Sequence, residues 1–222
     1  MTRPPAVAVM AKVPGATPVK SRLHGALTSE RATALYRCFL LDRLDALAAV
    51  PDVARVIAFS PAEARARMAA LAPPGFRLLA QQGDDLGARL TRLFARLLAD
   101  GHRGALAVDS DSPTLPMAYV AEAAGALVRA EADVVIGASD DGGYYLIGVR
   151  APQPRLFDAV PWSTPETRAA TMARARQLGL SVRMLPPWFD VDTEADLRRL
   201  RADLAGRATP ARTAAFVRTI AC

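Results

Sequence analysis

Apolar positions along the chain fall into two rhythms. Short, continuous apolar runs alternate with longer segments in which apolar residues recur every three or four positions. The short runs predict buried strands at residues 7–11, 53–59, 76–80, 105–108, 134–137, 144–149 and 182–185. The longer segments predict amphipathic helices. One covers 29–49, with Leu35, Phe39, Leu44 and Leu47 on one side. Another carries Leu86, Leu90, Leu93, Phe94, Leu97 and Leu98, begins at a cap supplied by Asp84 or Asp85, and ends at Gly101. Further helices are predicted over 116–130, 193–204 and 210–220. Ser60-Pro61-Ala62-Glu63 and Ser163-Thr164-Pro165-Glu166 read as two more helix starts, each with a cap residue, a proline and an acid.

Strands that alternate with helices predict an α/β fold: a three-layer α/β/α arrangement around a mostly parallel sheet. No Pro-, Gly- or Ser-rich linker divides the chain, so residues 1–222 are expected to form one domain. Ligands of such sheets bind beyond the C-terminal ends of the strands. The loops that follow strands are therefore where chemistry is sought.

Composition narrows the classes. No apolar run is long enough to span a bilayer, and the first one is too short for a signal peptide, so a cytoplasmic protein is expected. Cys38 and Cys222 read as a core thiol and a tail thiol, and with only His24 and His102 besides, a structural zinc site is not expected. The net charge is +6. The arginines are dispersed along helices without basic runs or RNA-binding aromatics, which argues against nucleic acid as a partner. Of 28 basic residues only two are lysines, Lys12 and Lys20, and both lie in the first loop. A lysine ammonium is a compact point charge well suited to phosphate.

That first loop offers Lys12, Gly15, Lys20 and Arg22 after a strand, a set of cations and backbone amides that can hold phosphate oxygens. It lacks the second glycine of a Walker A loop. Gln82 and Gly83, with Arg89, can edge a ligand site after the third strand. Asp109-Ser110-Asp111 places two acids at the end of an apolar strand, where carboxylates can hold Mg²⁺. Asp141-Gly142-Gly143-Tyr144 reads as a tight turn flanked by aromatics that can line a sugar or acceptor pocket. Asp190 and Asp192 alternate in an extended segment, where Asp192 or Thr193 can cap the next helix and one acid can complete a metal site. No Gly-x-Ser-x-Gly elbow and no Gly-x-Gly-x-x-Gly fingerprint is present, which disfavours serine hydrolase and dinucleotide oxidoreductase readings.

The ordered set Lys12-x-Pro14-Gly15, Lys20-Ser21-Arg22-Leu23, Gln81-x-Gly83-Asp84-Asp85-Leu86-Gly87-x-Arg89, Asp111-Ser112-Pro113, Asp141-Gly142-Gly143-Tyr144-Tyr145-Leu146-Ile147-Gly148, Trp162-Ser163-Thr164 and Asp190-Val191-Asp192-Thr193 resembles the DUF2064 group. That group is also labelled an arsenosugar-biosynthesis-type glycosyltransferase family. It is placed with the GT-A nucleotide-diphospho-sugar transferases and is similar to molybdenum-cofactor and phospholactate guanylyltransferases. The resemblance spans Lys12 to Asp196, nearly the whole chain.

The resemblance implies a GT-A fold with Lys12, Gly15, Lys20 and Arg22 near phosphates and Gln82 and Gly83 near the base or ribose. It implies Mg²⁺ or Mn²⁺ on Asp111 and on Asp192 or Asp190. Lys20 and Asp111 are the expected catalytic pair. Asp141, Gly142, Gly143 and Tyr144 would face the sugar or acceptor. Asp109 stands where that group has a small residue, so Asp109-Ser110-Asp111 imitates a glycosyltransferase Asp-x-Asp motif. The expected activity is transfer from a nucleotide-activated donor to a small-molecule acceptor. Glycosyl transfer from a nucleotide sugar comes first. The alternatives are guanylyltransferase-like nucleotidyl transfer from a nucleoside triphosphate to a small phosphorylated acceptor, and a non-catalytic nucleotide-binding protein.

Overall fold

The computed structural model describes residues 3–205 and 210–220, so the tail thiol Cys222 lies outside the described residues. Cys38 is half-buried and unpaired.

Seven strands form one sheet: β1 (Ala6–Lys12), β2 (Ala54–Ser60), β3 (Arg77–Ala80), β4 (Ala105–Val108), β5 (Val134–Ser139), β6 (Tyr144–Val149) and β7 (Val182–Trp188). Their order is β3-β2-β1-β4-β6-β5-β7. Every pairing is parallel except those of β6, which runs antiparallel to both β4 and β5. The hairpin turn at Asp141-Gly142 sends the chain straight back along β5, and β6 then inserts beside β4. The mostly parallel sheet expected from the sequence is thus observed, with one reversed strand.

Among the described residues seven α-helices accompany the sheet: α1 (Ser29–Ala48), α2 (Arg65–Ala69), α3 (Leu86–Ala99), α4 (Met117–Val128), α5 (Thr167–Gln177), α6 (Glu194–Leu204) and α7 (Ala211–Val217). Alternate side chains of β1 explain the layering. Val7, Val9 and Ala11 face a core built with α1 and α4, while Ala6 and Ala8 face one built with α3 and α5. A third cluster joins Leu35 and Phe39 of α1 to Phe189, Val191, Leu197 and Leu200, so the loop after β7 and helix α6 are clamped onto α1.

Local chemistry settles several helix ends. Asp85, not Asp84, caps α3 through the Ala88 amide at 2.7 Å. Thr193, not Asp192, caps α6, in a capping box with Asp196. Asp192 is therefore released for other work. The two proline-containing starts behave differently from expectation. Ser60 ends β2, and the chain makes a 3₁₀ turn at Ala62–Ala64 before α2, with no side-chain cap. Helix α5 begins only at Thr167, with Glu166 rather than Ser163 in the cap position and no side-chain cap; Ser163 stands in the left-handed region, φ 61°. No helix among the described residues is long and apolar enough to cross a membrane.

Candidate active site

Parallel neighbours β2, β1 and β4 end on the same side of the sheet, so the loops that follow them meet there. Between them lies an open cleft of about 530 Å³. Four cations line it: Lys12, Lys20 and Arg22 from the first loop and Arg89 from α3. Asp111 from the loop after β4 and Asp192 from the loop after β7 line it as well.

Lys20 is the centre of this arrangement. Its ammonium donates to Asp192 Oδ1 at 2.7 Å and contacts Asp111 Oδ1 more closely still. The lysine side chain is 3% exposed, whereas those of Asp111 and Asp192 are 38% and 41% exposed. Burial alone would push the ammonium's pKa down. The two carboxylates outweigh it and hold Lys20 above the ordinary lysine range, hence fully charged. The backbone pays for this placement: Lys20 sits in the left-handed region, φ 51° and ψ 39°, which a non-glycine residue occupies only when its surroundings hold it there.

The two carboxylates thus converge on a single positive charge. This is the donor set that Mg²⁺ or Mn²⁺ uses when substrate phosphates complete the coordination: one or two protein carboxylates and no closed cage. Among the described residues no group of three or more His, Cys, Asp or Glu is arranged to hold a metal.

The second acid of each pair is engaged elsewhere. Asp109 lies beneath its loop, where it accepts from the Ser112 hydroxyl and faces the buried Arg43 guanidinium at 3.4 Å. Burial pushes its carboxyl up to about 7, against the pull of Arg43. Asp190 accepts from the Ser139 hydroxyl at 3.0 Å. Burial, then the nearby Asp141 and Asp192, push it up to about 6.

The remaining expected residues are spread around the cleft. Gly15 (φ 75°) makes the turn of the first loop, closed by a bridge between Pro14 and Thr17. Gln81 lines the cleft, and its amide nitrogen donates to the Ala58 carbonyl at 2.7 Å. Gln82 points instead into a smaller groove beside β3. Gly83 meets the cleft indirectly, because its carbonyl holds Arg89 Nε at 2.9 Å. Its φ of 135°, and a contact of 2.7 Å that a Cβ would make with Ala88, require glycine there.

Asp141 accepts from the Gly143 amide at 2.8 Å and stabilises the hairpin turn. Gly142 packs against Pro165, in the loop that carries Ser163 to the cleft wall. Tyr144 packs against the α3–α5 side core rather than lining the cleft.

Sequence reasoning passed over Tyr36, Ser110, Ser60, Ser163 and Leu86, all of which line the cleft. Tyr36 had one faint signal, a hydroxyl within the apolar stripe of α1. Ser110, Ser163 and Leu86 stand inside motifs whose other members drew attention, and Ser60 only within a helix start, because nothing local marks which residues of separate loops will meet.

Comparisons with known proteins show what the chain is similar to. Residues 43–164 match the DUF2064 family, described as uncharacterized proteins conserved in bacteria. The chain is 34% identical over 211 residues to 3-phospho-D-glycerate guanylyltransferase of Phenylobacterium zucineum strain HLK1, covering 89% of this chain and 90% of that one. A crystal structure from Desulfovibrio desulfuricans G20, assigned as a nucleotide-diphospho-sugar transferase, superposes with a TM-score of 0.90 at 32% identity, over 98% of this chain and 95% of its own. Rv0371c of Mycobacterium tuberculosis H37Rv, solved with manganese, shares the fold with a TM-score of 0.52 at 18% identity, over 90% of this chain and 98% of its own.

Proposed function

Because the chain belongs to the DUF2064 family, we propose that its cleft binds a nucleoside triphosphate and transfers the nucleotidyl group to a small phosphorylated acid, releasing pyrophosphate. The observation that carries this reading is the buried Lys20 ammonium held between Asp111 and Asp192, in a cleft lined also by Lys12, Arg22 and Arg89. The four cations outnumber the two carboxylates of the cleft, and a divalent metal on those carboxylates would leave the cations free to meet a triphosphate's negative charge. The full-length likeness to a guanylyltransferase supports guanosine triphosphate as donor and a three-carbon phosphorylated acid as acceptor.

In this reading Asp111 and Asp192 hold Mg²⁺ or Mn²⁺, which when bound supplies Lewis-acid polarisation of the phosphates. The chain's own groups do the rest. Lys12 and Arg22 orient the triphosphate tail. Lys20, already charged and desolvated, stabilises charge as it builds on the departing pyrophosphate. An acceptor phosphate oxygen attacks the α-phosphorus, a new P–O bond forms, and the bond to the β-phosphate oxygen breaks. The attacking phosphate is already anionic, so no general base is required. That suits a cleft lined by no histidine.

Glycosyl transfer from a nucleotide sugar is the second reading. It is favoured by the near-complete superposition on the Desulfovibrio protein. The same cations would then neutralise a nucleoside diphosphate leaving group.

A thermal-shift panel of nucleoside triphosphates and nucleotide sugars, each with and without Mg²⁺, tests both. A ligand at a hundred times its Kd raises stability by about 2.7 kcal/mol. A metal-dependent shift with guanosine triphosphate, and pyrophosphate among the products, is expected. Nucleoside diphosphate as the product would replace the first reading by the second.

A further inference from the structure

Helix α1 runs beneath the cleft and buries three polar side chains: Asp42, which accepts from the Thr213 amide of α7, and Tyr36 and Arg43, which turn to the loops of the cleft. Tyr36 is 2% exposed and Arg43 is 2% exposed. They are seven residues apart, two helical turns, and so lie on the same side of the helix.

The Tyr36 hydroxyl stands where the first loop and the Asp111 loop come together. The Lys12 amide donates to it at 2.9 Å. It lies 3.0 Å from Ser110 Oγ, which in turn donates to the Met10 carbonyl at 2.9 Å. Counting protons gives the chain a direction. Ser110 spends its only hydroxyl proton on Met10, so the Tyr36 proton goes to Ser110, with the Lys12 carbonyl at 3.2 Å as a weaker second acceptor. The relay thus runs from the Lys12 amide through Tyr36 and Ser110 back to Met10. It ties the end of β1, where the cationic loop begins, to the residue that precedes Asp111. Two turns further along α1, Arg43 donates to the Ser112 carbonyl and faces Asp109, gripping the residue that follows Asp111. Asp111 is therefore flanked on both sides by attachments to one helix.

We propose that Tyr36 is a positioning residue which, through Ser110, sets the spacing between the phosphate-binding cations and the Asp111 carboxylate. This rests on the reading of the cleft as a metal–nucleotide site. Asp111 would have to hold a metal within reach of phosphates bound by the cations, and residues that orient metal-binding groups from behind typically contribute roughly ten- to a hundredfold in affinity or activity.

The test uses the full chain with Tyr36→Phe, Ser110→Ala and the double variant. Phe keeps the buried ring and removes only the hydroxyl. Two quantities are read: exchange of the Lys12 amide by NMR without ligand, and the affinity for guanosine triphosphate with and without Mn²⁺. Both single variants are expected to speed Lys12 exchange and to lower the Mn²⁺-dependent affinity by roughly tenfold more than the Mn²⁺-independent affinity, with the double variant no worse than the singles. A Tyr36 that only fills space would speed Lys12 exchange in Tyr36→Phe alone and leave the metal-dependent affinity intact, which overturns the proposal. If the unsubstituted protein shows no metal-dependent nucleotide binding, the proposed function falls. The exchange measurement then decides the relay by itself: Lys12 deprotected in Ser110→Ala supports it, and Lys12 unchanged there refutes it.

Discussion

Lys20 Nζ lies 2.7 Å from Asp192 Oδ1 although 172 positions separate the two residues in the chain. The same ammonium touches Asp111, so one buried cation is shared by carboxylates from two different strand ends. Replacing Lys20 with Met leaves those carboxylates facing each other without a counter-charge. Turnover is expected to fall about 10²- to 10³-fold, as for loss of one preorganised charge-stabilising group. The carboxylates are partly solvated, so stability should fall by only about 1–2 kcal/mol, less than for a fully buried pair. Added Mg²⁺ should raise the melting temperature of Lys20→Met more than that of the parent protein. A variant indifferent to Mg²⁺ would show that the two acids do not share a cation.

The acids of each pair should separate cleanly by substitution. Asp111→Asn and Asp192→Asn are each expected to raise the metal concentration needed for half-maximal activity by about tenfold or more. Asp109→Asn should leave that concentration nearly unchanged. Burial pushes its carboxyl up to about 7, and its side chain is turned to Ser112 and Arg43 rather than to the cleft. A stability loss of about 3 kcal/mol is expected for this variant in urea titrations, because the buried Arg43 guanidinium loses its facing carboxylate. A large metal defect in Asp109→Asn would make the Asp-x-Asp reading the correct one.

Acid sensitivity should report on Asp133 at the start of β5. Its carboxylate accepts from the Ser181 hydroxyl at 2.7 Å and the Ser181 amide at 3.0 Å, and pairs with Arg150 at 2.6 Å. The Ser181 hydroxyl and Arg150 hold it down to about 2, below the ordinary 3.8. A depressed acid adds stability that is fully present above the unfolded value and is lost as pH falls through the folded one. Melting temperature should therefore drop between about pH 4 and pH 2, and Asp133→Asn should be less stable at neutral pH but flatter across that window. Parallel curves for the two proteins would contradict the assignment.

The hairpin turn offers a geometric test. A Cβ at Gly142 would sit 2.2 Å from the Pro165 carbonyl oxygen, and its φ is 91°, so Gly142→Ala must strain the turn and push the 161–165 loop. A loss of about 2–3 kcal/mol is expected, together with weaker ligand binding through Ser163. At Gly143 the nearest obstacle is the mobile end of Asp141, at 3.1 Å, and Gly143→Ala should stay within about 1 kcal/mol. Similar losses at both positions, read from chemical denaturation, would refute the packing described for Pro165.

The amino-acid sequence by itself determined the elements and the loops worth inspecting. Apolar periodicity is local, and so are the caps at Asp85 and Thr193 and the turn at Asp141-Gly142. The seven predicted strand runs all correspond to strands, and four of the five loops singled out contribute to one cleft, the Asp141–Tyr144 turn being the exception. What only the tertiary structure decided was which of several equivalent side chains meet. Asp111 and Asp192 face the cleft while Asp109 and Asp190 turn to Ser112 and Ser139, although each pair alternates in extended chain with nothing in its spacing to distinguish the members. The reversal of β6, the burial of Lys20, and the placing of Tyr36 between two loops likewise depend on strand order and on α1 packing beneath the sheet. Those are long-range pairings, settled by the sum of many contacts rather than by any residue's neighbours in sequence.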